Sequence, residues 1–68
     1  MEDKARKIIA LLEHLAHHNQ HHATEIQELA AAARDLGNEE AAALIEAGVQ
    51  AMNDSNSKLS QALEALKK

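Results

Sequence analysis

Hydrophobic residues recur along this chain at three- and four-residue steps, the spacing that places side chains on one face of an α-helix. The pattern predicts two long helices, residues 2–36 and 39–67, because its clearest interruption is Gly37-Asn38. Glycine suits the position just past a helix C-terminus, and asparagine suits the N-cap of the next helix. A turn as short as 37–38 makes the helices antiparallel neighbours, so residues 1–68 are predicted to form a single all-α helical-hairpin domain.

Each predicted helix carries a narrow apolar face. In the first helix this face contains Ile8, Leu11, Leu12, Leu15, Ile26, Leu29, Ala33 and Leu36. In the second helix it contains Ala41, Ile45, Gly48, Met52, Leu59, Leu63 and Leu66. When residues whose numbers add up to about 75 are placed at the same level, apolar positions oppose each other at both ends of the hairpin. The two faces are therefore predicted to form the core.

The middle of the hairpin is predicted to be polar in both helices. Asn19 lies opposite Asn56 in this register, and we expect the two amides to belong to a hydrogen-bonded polar network. His18 and His22 fall at the same height. Because residues 53–57 are of kinds that favour turns, a three-helix fold with a break there is an alternative. The matching register on both sides of the segment favours one continuous second helix.

Size and composition predict self-association. A chain of 68 residues rarely builds a core worth more than ~3–5 kcal/mol, so a further stabilising device is expected. Cysteine is absent, which excludes disulfides and thiolate metal sites. A hairpin of this length also leaves one apolar face uncovered. Two copies would cover it, and twofold symmetry is the commonest closure, so we predict a homodimeric four-helix bundle.

Charge and composition also narrow the classes of partner. The chain has no aromatic residue and a formal net charge of −4, which disfavours nucleic acids and anionic membranes. Its apolar runs are far shorter than the ~20 residues that span a bilayer. The opening residues Met1-Glu2-Asp3-Lys4 lack the pattern of a secretory signal. A cytoplasmic protein is expected, with a larger protein partner left open.

All five histidines lie between His14 and His22, and imidazole is the commonest protein metal ligand. Histidines four residues apart stand one helical turn apart on the same face, the spacing at which two imidazoles chelate one ion. His14, His18 and His22 fall on or beside the predicted core face, with His22 at its middle. We predict a metal site built on His18 and His22, completed either by the same two histidines of a second subunit or by His14 and Glu25 of the same helix face. Glu25 would be either a ligand or the acceptor that orients an imidazole.

His17 and His21 point outward and are a possible second, surface metal pair. Because imidazole suits borderline metals and thiolates are missing, the predicted cofactor is a transition metal: zinc, nickel, cobalt or copper. The predicted function is metal sequestration, sensing or metal-linked assembly. Two alternatives remain: a metal-free dimerisation module whose buried His/Asn layer sets the register, and a small metalloenzyme of unknown substrate. No residue is assigned a catalytic role.

The motif His14-x3-His18-Asn19-x2-His22-Ala23, followed by a Gly-Asn break and a second helix carrying Asn56, resembles a family of small, uncharacterised prokaryotic helical-hairpin domains. The resemblance extends from about Leu12 to Leu66. It implies that the three histidines and Asn19 are the family's positions and that Asn56 is their partner on the second helix. His17 and His21 would be additions particular to this chain. Leu15 stands where an aromatic residue is expected, and Thr24 where an acid is expected. The resemblance implies no activity.

Overall fold

The computed structural model describes residues 3–68 and consists of two packed α-helices, α1 (Asp3–Asp35) and α2 (Glu39–Lys67). They form an elongated hairpin of 53 × 14 × 11 Å. The predicted all-α helical hairpin is thus confirmed. Glu2, predicted to begin the first helix, lies outside the described residues. α1 ends one residue before the predicted boundary, and α2 has the predicted bounds.

The turn is built from helix-terminating interactions at both of its ends. Gly37 adopts a φ of 85°, which a residue without a Cβ accepts readily. Its N–H donates to the Arg34 carbonyl at 2.9 Å, and the Asn38 N–H donates to the Ala33 carbonyl at 3.0 Å. This pair of bonds is a Schellman motif that satisfies carbonyls at the end of α1. The Asn38 side chain then caps α2 by accepting from the Ala41 N–H at 3.0 Å.

α2 is continuous through residues 53–57, so the three-helix alternative is wrong. Asparagine and serine are weak helix formers, but tertiary packing on both sides outweighs that local preference. Gln50 also donates to Asp54 at 3.0 Å along the helix. α2 is therefore a single continuous helix of 29 residues that packs beside the 33 residues of α1.

The contact between the helices follows a seven-residue repeat. Its buried residues are Ala16, Ala23 and Ala30 in α1 and Ala42, Val49 and Leu63 in α2. Half-buried residues fill the intervening steps: Ala5, Ile9, Leu12, Asn19, Ile26 and Ala33 in α1, and Ile45, Met52, Asn56 and Leu59 in α2. Alternating three- and four-residue steps are typical of coiled-coil packing. We call these residues the seam.

The seam corrects the predicted core face of α1. Leu12, Ile26 and Ala33 lie in it, but the other predicted core residues of α1 are exposed: Ile8, Leu11, Leu15, Leu29 and Leu36. α1 carries two apolar stripes one residue apart, and a single neighbouring helix covers only one of them. The covered stripe is the one rich in alanine, whose small side chains allow a close approach. In α2, Gly48 and Leu66 are also exposed.

One flank of the seam is polar and carries ion pairs between the helices. Lys67 Nζ lies 3.2 Å from Glu13 Oε2, far from the turn. Near the turn, Arg34 donates two bonds to Glu46, at 2.9 and 3.1 Å, and bonds Glu39 through Nε at 2.9 Å. These bonds raise the pKa of Arg34 and lower that of Glu46, each mainly through the side-chain hydrogen bonds between them. This flank leaves little apolar surface uncovered.

The opposite flank carries the second stripe of α1, and nothing in the hairpin covers it. The stripe again alternates three- and four-residue steps. It contains Ile8, Leu11, Leu15, His18, His22, Glu25, Leu29 and Ala32, and it ends at Leu36, which follows α1 and whose N–H donates to the Ala32 carbonyl at 3.1 Å; all of these residues are exposed. We call it the histidine stripe. Leu29 and Leu36 are 59% and 87% exposed. Over the residues that the structure describes, neither helix is long and apolar enough to cross a membrane.

Candidate metal site

The candidate site lies at the middle of the histidine stripe. His18 and His22 stand one helical turn apart, and their Nε2 atoms are 2.9 Å from each other. The ring centroids are 4.3 Å apart and the ring planes are nearly perpendicular, at 86°. The two rings thus bring their Nε2 atoms together on the exposed side of the helix. Two nitrogens bound to one tetrahedral zinc ion would lie about 3.3 Å apart, so a small rotation of either ring opens the pair for a shared ion.

Glu25 lies one turn further along the stripe. Its carboxylate faces Nδ1, the second ring nitrogen of His22. The distance from His22 Nδ1 to Glu25 Oε1 is 3.4 Å. A proton on Nδ1 directed at this carboxylate leaves the lone pair of His22 on Nε2, where a metal would bind. The same proton placement makes His18 the donor in the bond between the two rings. Glu25 therefore occupies the position of an orienting acceptor.

The remaining histidines do not join this pair. The His14 ring is nearly parallel to that of His18, at 16°, with its centroid 6.2 Å away. His14 was predicted as a ligand, and the structure places it in a stack beside the pair. His21 Nε2 lies 3.7 Å from Glu25 Oε1 on the outer side, with the His21 side chain 71% exposed. His17 is exposed as well.

The histidines are not part of the core of the single hairpin, which corrects the prediction that His22 lies at the middle of the core face. The His22 side chain is 50% exposed, and His18 is exposed too. The polar residues that do enter the seam are Asn19 and Asn56, both half-buried. Asn56 Oδ1 is buried and has no hydrogen-bond partner among the described residues, so it does not accept the amide bond expected from Asn19.

A single hairpin supplies only part of a coordination shell. Among residues 3–68, no group of three or more histidine, cysteine, aspartate or glutamate side chains is gathered so that it could hold a metal ion. His18 and His22 provide two nitrogens on an exposed surface. A four-coordinate site on this pair would need two further donors.

Sequence reasoning missed the surface beside the stripe. A shallow groove on this flank is lined by Asn19, Ala51, Met52 and Ser55. Ala51 and Ser55 belong to a row of mostly small residues on α2 at three- and four-residue steps: Ala41, Leu44, Gly48, Ala51, Ser55, Lys58, Ala62 and Ala65. This spacing was the available signal, but the row contains too few large apolar residues to be recognised as a packing surface.

The fold and its surface define an all-α antiparallel hairpin with one uncovered apolar flank and histidines at the centre of that flank. Residues 8–66 match the family model described as a domain of unknown function, DUF8180. The chain therefore belongs to this family, and the match contains the whole histidine stripe. No curated protein and no solved structure matches the chain.

Proposed function

We propose that this protein binds a divalent transition metal as a homodimeric four-helix bundle, through His18 and His22 from each copy. The observation that carries the proposal is the convergence of the two Nε2 atoms at 2.9 Å on an exposed stripe whose two ends are apolar. Imidazole nitrogens without thiolates favour zinc, nickel, cobalt or copper. The cytoplasmic location and the prokaryotic histidine motif expected from the sequence remain predictions.

Support for the dimer comes from the uncovered stripe. Five large apolar side chains of α1 lie on it, each at least 44% exposed: Ile8, Leu11, Leu15, Leu29 and Leu36. Complete burial of such a side chain is worth ~1.5–3 kcal/mol, so burying the exposed half of ten of them in two copies provides roughly 7–15 kcal/mol. That is comparable with the cost of association, ~4–15 kcal/mol. A metal shared by both copies would add directly to this balance.

The histidines interrupt the stripe at its middle, where a dimer would bury them. Burial would remove the water that now solvates the rings, and unpaired polar groups there would be costly. A metal ion would satisfy the four Nε2 atoms together, with Glu25 accepting from the opposite nitrogen of His22. Metal binding requires the His18 proton to move from Nε2 to Nδ1, because Nε2 must present its lone pair.

The test is calorimetric titration of chelator-treated protein with zinc, nickel, cobalt and copper(II). The double variant His18→Ala/His22→Ala should lose more than the ~10–100-fold in affinity that is usual when only an orienting group is removed. The matched control is His17→Ala/His21→Ala, which removes the same two side chains from the outer face and should bind like the parent. Equal affinity in the parent and the inner variant would overturn the proposal.

A second candidate, a metal-free dimerisation module, is favoured by the hydrogen bond between His18 and His22, which gives each ring a polar partner within the chain. In this alternative the histidine pair sets the register of the two copies, as isolated polar residues do in coiled coils. It predicts that chelator-treated protein keeps its dimer mass and melting temperature when metal is added. The metal-binding proposal predicts instead a rise in melting temperature with metal concentration.

A further inference from the structure

The histidine stripe is nearly symmetric about its central residue, His22. Each side of His22 has one titratable residue followed by three aliphatic residues. Towards the N-terminus these are His18, Leu15, Leu11 and Ile8, and towards the C-terminus they are Glu25, Leu29, Ala32 and Leu36. A twofold axis perpendicular to a helix sets each residue opposite the one equally distant on the other side of the axis. A stripe with matched halves is thus suited to pack on a reversed copy of itself.

We propose that two hairpins pack face to face with their turns at opposite ends, α1 running antiparallel to α1 of the second copy and the axis crossing at His22. The proposal rests on the proposed function, because it identifies the second copy as the partner that completes the metal site. In this arrangement Ile8 lies near Leu36 of the second copy, and Leu15 near Leu29. The apolar ends therefore cover each other.

Charge complementarity supports this orientation. Reversing α1 about His22 brings His18 of one copy opposite Glu25 of the other, at both ends of the central polar segment. Each carboxylate then has imidazole N–H groups of both copies within the same helical turn. Opposite or hydrogen-bonding partners at facing positions fix the register, whereas like charges there would be repulsive.

The alternative dimer has both turns at the same end and stacks α1 on α2 of the second copy. It would set Leu15 opposite Lys58 and would face the histidines with Ala51 and Ser55, neither of which carries a carboxylate. In the arrangement with opposite ends, α2 lies against α2, and Lys58 instead faces Gly48. Gly48 has no side chain, and nothing of its own hairpin lies within 4 Å of where a Cβ would stand, so the hairpin itself does not fill the space that the lysine needs.

The orientation determines the composition of the metal site. His18 and His22 of both copies come within about one helical turn of the axis, so four imidazoles can surround one ion. The Glu25 side chains lie just beyond them on both sides. The site is then symmetric and consists of protein ligands alone.

The experiment measures the distance between the two copies with nitroxide spin labels in chelator-treated protein. The chain has no cysteine, so Glu40→Cys near the turn and Asp54→Cys near the axis each provide one labelling position, and both residues are exposed. With the turns at opposite ends, the Glu40→Cys labels should be about 40 Å apart or more, since each lies about 20 Å from the axis along α2. The Asp54→Cys labels should be about 30 Å apart or less.

A distance of about 30 Å or less for the Glu40→Cys labels would place the turns together and overturn the proposed orientation. Absence of any distance between copies for the Asp54→Cys labels, both in chelator-treated protein and after zinc is added, would show a monomer and also overturn it. The labels report the arrangement of the two copies and the calorimetry reports metal affinity, so the two results are separate. Long Glu40→Cys distances in a protein that binds no metal would support this dimer and refute the metal-binding function.

Discussion

Replacing Asn56 with leucine is expected to stabilise the hairpin. Asn56 lies in the seam, and its Oδ1 atom is buried without a hydrogen-bond partner among residues 3–68. A buried acceptor left unsatisfied costs roughly 1–3 kcal/mol. Leucine removes that acceptor and adds apolar contact in the seam. We therefore expect the free energy of unfolding to rise by about 1–3 kcal/mol, which corresponds to a melting temperature higher by ~4–8 °C for each kcal/mol.

The assay is urea unfolding followed by far-ultraviolet circular dichroism, at one fixed protein concentration because the proposed association would contribute to stability. Leucine is also a better helix former than asparagine, by up to ~0.7 kcal/mol. Asn53→Leu is the matched control, since Asn53 is exposed and lies three residues earlier in α2. It gains the helix propensity without removing a buried acceptor. If Asn56→Leu were no more stable than Asn53→Leu, the reasoning about the buried amide would be refuted.

Three further outcomes are expected in unfolding and mass measurements. Gly37→Ala should cost about 1 kcal/mol or more because of the positive φ, and Gly37→Asn should cost less, since asparagine tolerates that conformation. Arg34→Ala should destabilise the protein at neutral pH. Hydrogen bonds from Arg34 to Glu46 lower the pKa of that carboxyl from 4.5. The stabilisation from this ion pair is therefore present above pH 4.5 and is lost as the pH falls below that value. A stability deficit of Arg34→Ala that stayed unchanged at about pH 3 would contradict this. Leu29→Lys should give a monomer by light scattering, whereas Gln27→Lys, on the polar flank, should stay dimeric; identical masses would count against the stripe as the interface.

The hairpin was predictable because the signals that end α1 and begin α2 lie in two adjacent residues. Gly37 and Asn38 carry the conformational and capping preferences that end one helix and begin the next, and the structure uses both. The continuity of α2 was harder to predict, because residues 53–57 taken alone favour a turn. It followed from the apolar register on either side, which depends on both helices together.

The choice of the buried stripe could not be predicted from the size of the apolar residues. The predicted face of α1 favoured leucines and isoleucines, but the buried positions are Ala16, Ala23 and Ala30. A stripe of alanine is less hydrophobic, yet it lets two backbones approach closely. The sequence does not state which of two adjacent stripes an intramolecular neighbour will cover. The structure assigns the larger residues to the surface that remains open.

The histidine residues were identifiable by spacing, but their surroundings were not. His18 and His22 at a four-residue step predicted a converging pair, and their Nε2 atoms are 2.9 Å apart. Their exposure follows from the choice of stripe, because a one-residue difference in register moves His22 out of the seam and Asn19 into it. The stacked position of His14 depends on ring rotation, which spacing alone does not determine.

The turn has a consequence for the order of folding. Arg34 bonds both Glu39 and Glu46, and the Schellman motif and the Asn38 cap lie within the same few residues. Contacts near the turn close short loops, which cost less chain entropy than contacts near the termini. The two helices should therefore begin to pack against each other at the turn, and the packing should extend from there towards Lys67. Amide hydrogen exchange should be slowest in the turns of helix beside Ala30 and Ala42 and become faster towards the chain ends, with the histidine pair midway along this gradient.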